Sequence, residues 1–340
     1  GKFAKAIELA KAQLEKRTAK EQSQLSKIIG ESYFNLQNYA EAIPFLKAYK
    51  GERGRWNHTD FYQLGYAYYK QNDYQKAINE FNKIIEGSNA IAQNAYYHLA
   101  ESYINLDKKQ EALNAFKNAS EMNFNFNIKE DAWLNYAKLS YDIGNPYQST
   151  PEVLTLFLEL YPKSPFKIEI ESLLIDSYIS SNNFKEALEL LENKSRSYHK
   201  EAYQKVTFYR GLELYNTANY PEAKKQFDNS LSSSIDLTFK ARATYWKAET
   251  AYQLSDYKTA LDGFRDFKNR RFNTQLDEFI NLDYNLAYTY FKQKEYALAI
   301  TSFQAFIATQ PKSSVVLNDA FLRLGDSYFV TTQYSPAIDA

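Results

Sequence analysis

The chain contains no cysteine. Disulfides, thiolate nucleophiles and cysteine-held zinc are therefore excluded, while the compartment stays open because cytosolic and envelope proteins alike can do without thiols. Glycine and proline are scarce, ten and eight in 340 residues, less than half the usual share of about 12 %. Few positions can wrap a phosphate, and helices are favoured over turn-rich architectures. There is no long hydrophobic run. The most apolar stretch, Val153–Tyr161, is broken by Thr155 and Glu159 and falls far short of the ~18 residues a membrane span needs. Charge of one sign is also missing: 41 basic residues balance 41 acidic ones, so the electrostatic footprint of a nucleic-acid partner is absent. The start, Gly1-Lys2-Phe3-Ala4-Lys5, has no apolar signal core.

Aromatics are abundant instead, with 30 Tyr, 23 Phe and 3 Trp, and they recur in register. Phe61-x-x-Leu64-Gly65-x-x-Tyr68 aligns with Tyr96-x-x-Leu99-Ala100-x-x-Tyr103, Asp283-x-x-Leu286-Ala287-x-x-Tyr290 and Phe321-x-x-Leu324-Gly325-x-x-Tyr328. A second signature follows, as in Tyr74-x-x-Ala77-x-x-x-Phe81, Lys109-x-x-Ala112-x-x-x-Phe116 and Tyr296-x-x-Ala299-x-x-x-Phe303. The crossing residues are Gly30, Gly65, Ala100, Ala137, Ile175, Gly211, Ala248, Ala287 and Gly325, spaced 35 to 39 residues apart. Apolar positions within each unit recur every three or four residues, the period of one helix face. Each unit reads as a helical hairpin, A then B, with a small residue where the helices cross and an aromatic at the corner (Tyr39, Tyr74, Phe184, Tyr220, Tyr257, Tyr296, Tyr334). A hairpin of this kind buries its faces only by stacking on neighbours.

These signatures resemble the tetratricopeptide repeat (TPR) family over essentially the whole chain. The resemblance implies an all-α, right-handed superhelical solenoid of stacked antiparallel hairpins. The expected division is a single solenoid over 1–340: the second helix of a truncated repeat at 1–22, eight complete repeats over 23–317, and the start of a further truncated repeat at 318–340. A chain that opens and closes inside repeats, without polar capping helices, is expected to be a fragment of a longer protein. Departures from the pattern stand at Lys109, Lys247 and Ile175. Gly144–Pro151 reads as a longer turn within one repeat, and Lys268–Gln275 as an extension of a helix or connector. The junctions Tyr161-Pro162-Lys163-Ser164-Pro165 and Gln310-Pro311-Lys312-Ser313, with Tyr245–Tyr257, are similar to repeats of bacterial cell-envelope TPR proteins, outer-membrane assembly lipoproteins and Tol-system accessory proteins among them. That similarity implies a periplasmic or outer-membrane-associated protein, with a cytoplasmic scaffold as the alternative.

Catalytic and cofactor motifs are missing. There is no Walker loop, dinucleotide fingerprint or nucleophile elbow, and the histidines at 58, 98 and 199 form no i, i+4 metal pair. His98 is expected on the exposed side of its helix. Carboxylate pairs such as Glu189/Glu192 and Asp262/Asp266 read as solvated helix faces. No enzyme, cofactor or metal is expected. The family's terminal-carboxylate clamp does not carry over: Lys27 has the right position, but Glu31 stands where an Asn is needed, and Gln63, Asn94 and His98 follow on the next two helices.

The resemblance places the A helices along a concave wall. The candidate groove residues are Tyr62, Tyr66, Tyr69, Tyr97, Tyr141, Phe208, Tyr209, Tyr215, Tyr245, Trp246, Tyr252, Tyr284, Tyr288 and Phe291. Tyrosine gives broad contact area at low entropic cost. The expected function is a protein-binding scaffold for a protein or peptide segment, with possible envelope assembly. The alternatives are a structural element acting through its ends or convex face, and a glycan- or peptidoglycan-binding module.

Overall fold

In the computed structural model, which describes residues 1–192, 198–233, 235–309 and 315–340, the described residues form α-helices and short connectors with a single isolated bridge, Glu52 to Arg55. The chain divides into two compact units, 1–177 and 178–340. The first holds α1 (Lys2–Leu14), then A/B pairs α2 (Ala19–Asn35) and α3 (Tyr39–Ala48), α4 (His58–Lys70) and α5 (Tyr74–Phe81), α6 (Ala90–Asn105) and α7 (Lys109–Glu121), and α8 (Phe126–Ile143) and α9 (Thr150–Leu160). Helix α10 (Lys167–Ser180) carries the division. The second unit continues with α11 (Phe184–Leu190), then α12 (Lys200–Asn216) and α13 (Tyr220–Ser233), α14 (Leu237–Gln253) and α15 (Tyr257–Lys268), α16 (Leu282–Lys292) and α17 (Tyr296–Thr309), and α18 (Val315–Val330) and α19 (Tyr334–Asp339). Helices α2 and α18 begin upstream of residues 23 and 318. The junction Gln310–Ser313 lies outside the described residues.

One turn design joins A to B in all but one of the hairpins. Seven residues after every crossing residue the backbone enters the left-handed region: Gln37, Asn72, Asp107, Gly144, Asn182, Ala218, Ser255, Lys294 and Thr332, at φ between 56° and 76°. The next N–H then reaches back over the end of helix A, as from Asn38 to the Tyr33 carbonyl (2.9 Å) and from Asp256 to that of Ala251 (2.9 Å). This satisfies carbonyls the helix end leaves bare. The same residue caps helix B, its carbonyl accepting from the signature alanine: Ala42 on Asn38, Ala77 on Asp73, Ala260 on Asp256, each at 3.0 Å. Alanine fits there because the position is fully buried. The turn after α8 departs from this. Residues 144–149 form a loop in which Asn145 donates to the Tyr136 and Ser140 hydroxyls, each at 2.8 Å, and Ser149 caps α9 with Glu152 in a reciprocal box.

Where the helices cross, the absence of a side chain is what seats the phenylalanine of helix B. A Cβ on Gly65 would stand 2.8 Å from the Phe81 ring, and one on Gly211 2.6 Å from Phe227. Both rings are fully buried, worth about 1.5–3 kcal/mol each.

Repeat-to-repeat connectors are tied by buried glutamines seven residues before the crossing residue. Gln93 donates to the carbonyls of Ala119, Met122 and Asn125 and accepts from the N–H groups of Phe124 and Asn125 (2.7 Å). Gln204 does the same for Ile235 and Asp236. Between α15 and α16 the connector is two short 3-10 segments, Arg271–Gln275 and Asp277–Phe279. They resolve the expected extension at 268–275 as connector rather than helix and bring Glu278 against α14.

Candidate functional site

The candidate aromatics separate by their position relative to the crossing residue. Three residues before it stand Tyr62, Tyr97, Phe208, Tyr245 and Tyr284. Each packs on the phenylalanine of its own helix B: Tyr62 on Phe81 (6.0 Å between centroids), Tyr97 on Phe116 (5.7 Å), Phe208 on Phe227 (6.1 Å), Tyr245 on Phe264 (5.6 Å) and Tyr284 on Phe303 (6.3 Å). Phe208 and Tyr245 are buried. These two leave the candidate surface, because their rings turn into the hairpin rather than away from it. Four residues after the crossing stand Tyr69, Tyr215, Tyr252 and Phe291, each against the corner aromatic of its own turn: Tyr74, Tyr220, Tyr257 and Tyr296, at 5.4 to 6.1 Å. Tyr141 shares that register. Its longer loop delivers α9 only at Thr150, leaving no corner ring, and Tyr141 is exposed.

The remaining candidates are half-buried at the positions one after the crossing (Tyr66, Tyr288) and two before it (Tyr209, Trp246). Tyr209 stacks on Phe184 at 5.0 Å, and Trp246 lies 5.2 Å from Tyr215.

In the first unit Tyr66 centres a cluster with Phe34 and Tyr39 (5.7 Å each), Tyr62 (5.9 Å) and His98 (4.8 Å). His98 is a correction to the sequence reading. It is largely covered rather than exposed, with rings of Tyr69 and Tyr97 at 5.2 and 5.3 Å and Nδ1 2.8 Å from Glu101. The Lys70 ammonium sits 5.3 Å from both the Tyr66 and Tyr69 centroids, within cation–π range. The Tyr97 hydroxyl donates to Asp131 on the next A helix. Burial pushes the Tyr62, Tyr69 and Tyr97 phenols well above their ordinary range, with Asp131 adding to the effect at Tyr97 and Glu101 at Tyr69. Lys27, the one clamp-like lysine, is committed to Asp60 at 2.9 Å.

The second unit repeats the register with a more polar lining. Tyr284 (2.8 Å) and Tyr288 donate their hydroxyls to Asp319. Arg323 donates to Tyr288 (3.1 Å) and pairs with Asp326 (2.7 Å). Glu278 accepts from Arg242 (2.6 Å) and from the Trp246 indole (3.1 Å). Between α14 and α16 lies a cavity of about 200 Å³ bounded by Glu249, Tyr252, Gln253, Tyr284, Asn285 and Tyr288. Glu249 accepts from Tyr215 (3.2 Å) and Asn285. Burial nevertheless raises its carboxyl above the usual range, and raises the Tyr252 phenol to about 12. Glu249, Gln253, Asn285, Asp319 and His98 were not among the sequence candidates, which were aromatic only. Register was the available signal: Glu101 and Glu249 hold the position of Tyr66 and Tyr288, and Asn285 that of Trp246.

Among the described residues no group of three or more His, Asp or Glu side chains could hold a metal, and no helix is long and apolar enough to cross a membrane.

Hairpins with small crossing residues, corner aromatics and this turn define a tetratricopeptide-type solenoid. The chain has the all-α fold of TPR repeat proteins. Residues 47–119 match the family model of anaphase-promoting complex, cyclosome, subunit 3, and residues 238–335 match that of the YfiO outer membrane lipoprotein. Similar solved structures include the C-terminal part of a TPR repeat-containing protein from Cytophaga hutchinsonii, with 18 % identity over 76 % of this chain and 98 % of that one and a TM-score of 0.43. The apo quorum sensor NprR from B. thuringiensis aligns with 14 % identity over 95 % and 97 %, TM-score 0.34. The TPR2AB domain of yeast Sti1 in its pHSP90 complex aligns with 14 % identity over 93 % and 98 %, TM-score 0.28. No curated protein matches the chain.

Proposed function

We propose that the chain is a non-enzymatic scaffold that holds a segment of a partner protein against the ring-bearing faces of its A helices. One observation carries this reading: Tyr66 and Tyr288, at the same register in different units, remain half-buried at the centre of ring clusters. Such surfaces give contact area and hydroxyls at low entropic cost, and binding by an extended or helical segment accumulates area along successive repeats. Replacing Tyr66 and Tyr288 together with serine, with helicity unchanged by circular dichroism, is expected to abolish capture of the native partners. Unchanged capture would contradict the reading. The match of residues 238–335 to an outer membrane lipoprotein model supports an envelope setting, which fractionation of the producing cells tests.

A second reading, assembly through an end, is favoured by the apolar face of α18 and α19. Phe321, Leu322, Phe329 and Ile338 are exposed there around a hollow of about 580 Å³. Self-association that polar replacements at Leu322 and Phe329 abolish would support it.

A further inference from the structure

Most hydrogen-bond donors in the walls of the cavity between α14 and α16 are spent, the Tyr252 hydroxyl being the exception. The Tyr284 and Tyr288 hydroxyls both donate to Asp319, behind the rings. The Asn285 amide donates to the Tyr245 hydroxyl (2.9 Å) and to Glu249, and the Gln253 amide to the Tyr215 hydroxyl (3.4 Å). Arg323, the nearby cation, is engaged by Asp326 and by Tyr288. What faces the hollow is therefore mainly acceptor and π surface: the Glu249 carboxylate and three tyrosine rings. An anion would meet a carboxylate with only the Tyr252 hydroxyl to hold it. A cation would meet both a counter-charge and electron-rich rings.

We propose that this cavity receives the cationic end of a lysine or arginine side chain from the partner segment. The volume, about 200 Å³, is the share of roughly six or seven waters in the liquid. That is more than a bare ion fills and suits the end of a side chain with its terminal methylenes. The Glu249 carboxylate accepts from Tyr215, Asn285 and Gln253, and its roughly four lone-pair sites leave room for one more donor. Burial without a cation disfavours the charge on Glu249, so an entering ammonium or guanidinium offsets a cost the empty pocket carries. This assignment rests on the scaffold reading and adds to it the chemistry of one anchor residue.

The test is saturation-transfer NMR on the intact chain with three probes: acetyl-Gly-Arg-Gly-amide, the lysine equivalent, and the neutral citrulline equivalent. A single anchor is expected to bind in the millimolar range, with at least one cationic peptide about tenfold or more tighter than citrulline. Glu249→Gln is expected to remove that preference. Tyr252→Leu, which leaves the carboxylate in place, is expected to weaken cation binding severalfold, so the outcome does not hang on one variant's folding. Equal binding of charged and neutral peptides, no saturable binding of either cation, or a preference that survives both substitutions would overturn the proposal. Partner capture that persists in wild type and is lost with Tyr66→Ser and Tyr288→Ser would then leave the scaffold reading standing without its cationic anchor.

Discussion

Gly65 lies directly under the Phe81 ring, so close that a Cβ there would meet Cε1 at 2.8 Å. Helices α4 and α5 are thereby held at a separation that a larger residue must widen. Overpacking of this kind costs about 1–3 kcal/mol, while alanine in place of glycine returns at most about 1 kcal/mol of helix propensity. Gly65→Ala is expected to lose about 1 kcal/mol net in chemical denaturation, and Gly65→Leu several times more. A Gly65→Ala chain as stable as the parent would contradict the crossing geometry.

The turns make the opposite prediction. Ala218 sits at φ 59°, a conformation that costs an L-residue roughly 1–2 kcal/mol. Glycine removes that strain but gives the unfolded chain more freedom, worth about 0.4–1 kcal/mol. Ala218→Gly should therefore raise the denaturation midpoint, with a gain of up to about 1.5 kcal/mol.

Gln93 is fully buried and serves the connector into α8 from both ends of its amide. Gln93→Leu keeps the volume and strands those backbone groups, at about 1–3 kcal/mol. Hydrogen exchange should report it as faster exchange at Phe124 and Asn125, with α12 and the Gln204 connector unaffected.

High pH should unfold the chain through its tyrosines. Burial raises the phenols of Tyr62, Tyr97, Tyr245 and Tyr284, and that of Tyr252 from 10.0 to about 12. Below the unfolded value both states keep the proton and the full stability is present. Between about 10 and about 12 the unfolded chain sheds protons that the folded chain retains, so stability falls as pH rises. Tyrosinate absorbance in the folded protein should lag that of the denatured chain, and the unfolding midpoint should drop across this window. A denaturation midpoint flat from neutrality through pH 12 would count against the burial of these rings.

The hairpins were legible in the sequence because a small residue, a corner aromatic and a helix-B phenylalanine recur at fixed offsets. The shared turn was not: only Gly144 among its nine left-handed residues is a glycine, so the usual marker is absent. The candidate face was legible only as a stripe. Tyr62, Tyr66 and Tyr69, like Tyr284, Tyr288 and Phe291, follow i, i+4, i+7 and share one helix face. Periodicity cannot say that the first member meets helix B, the last meets the corner ring, and the middle one stays half-open. His98 and Glu249 were missed for a related reason: the candidates were aromatic residues, and the contacts of His98 with Tyr62 and Tyr66 and of Glu249 with Tyr215 and Asn285 cross between helices, which spacing along one helix does not reveal.

The central claim is that partners are held on the A-helix faces at the register of Tyr66 and Tyr288. Photo-crosslinking from a benzophenone amino acid placed at those two positions, with Gln75 on α5 and Lys225 on α13 as exposed helix-B controls, tests it most directly in the producing cells. The account predicts discrete partner adducts from positions 66 and 288 and none from 75 and 225. Adducts from the helix-B positions alone would contradict it.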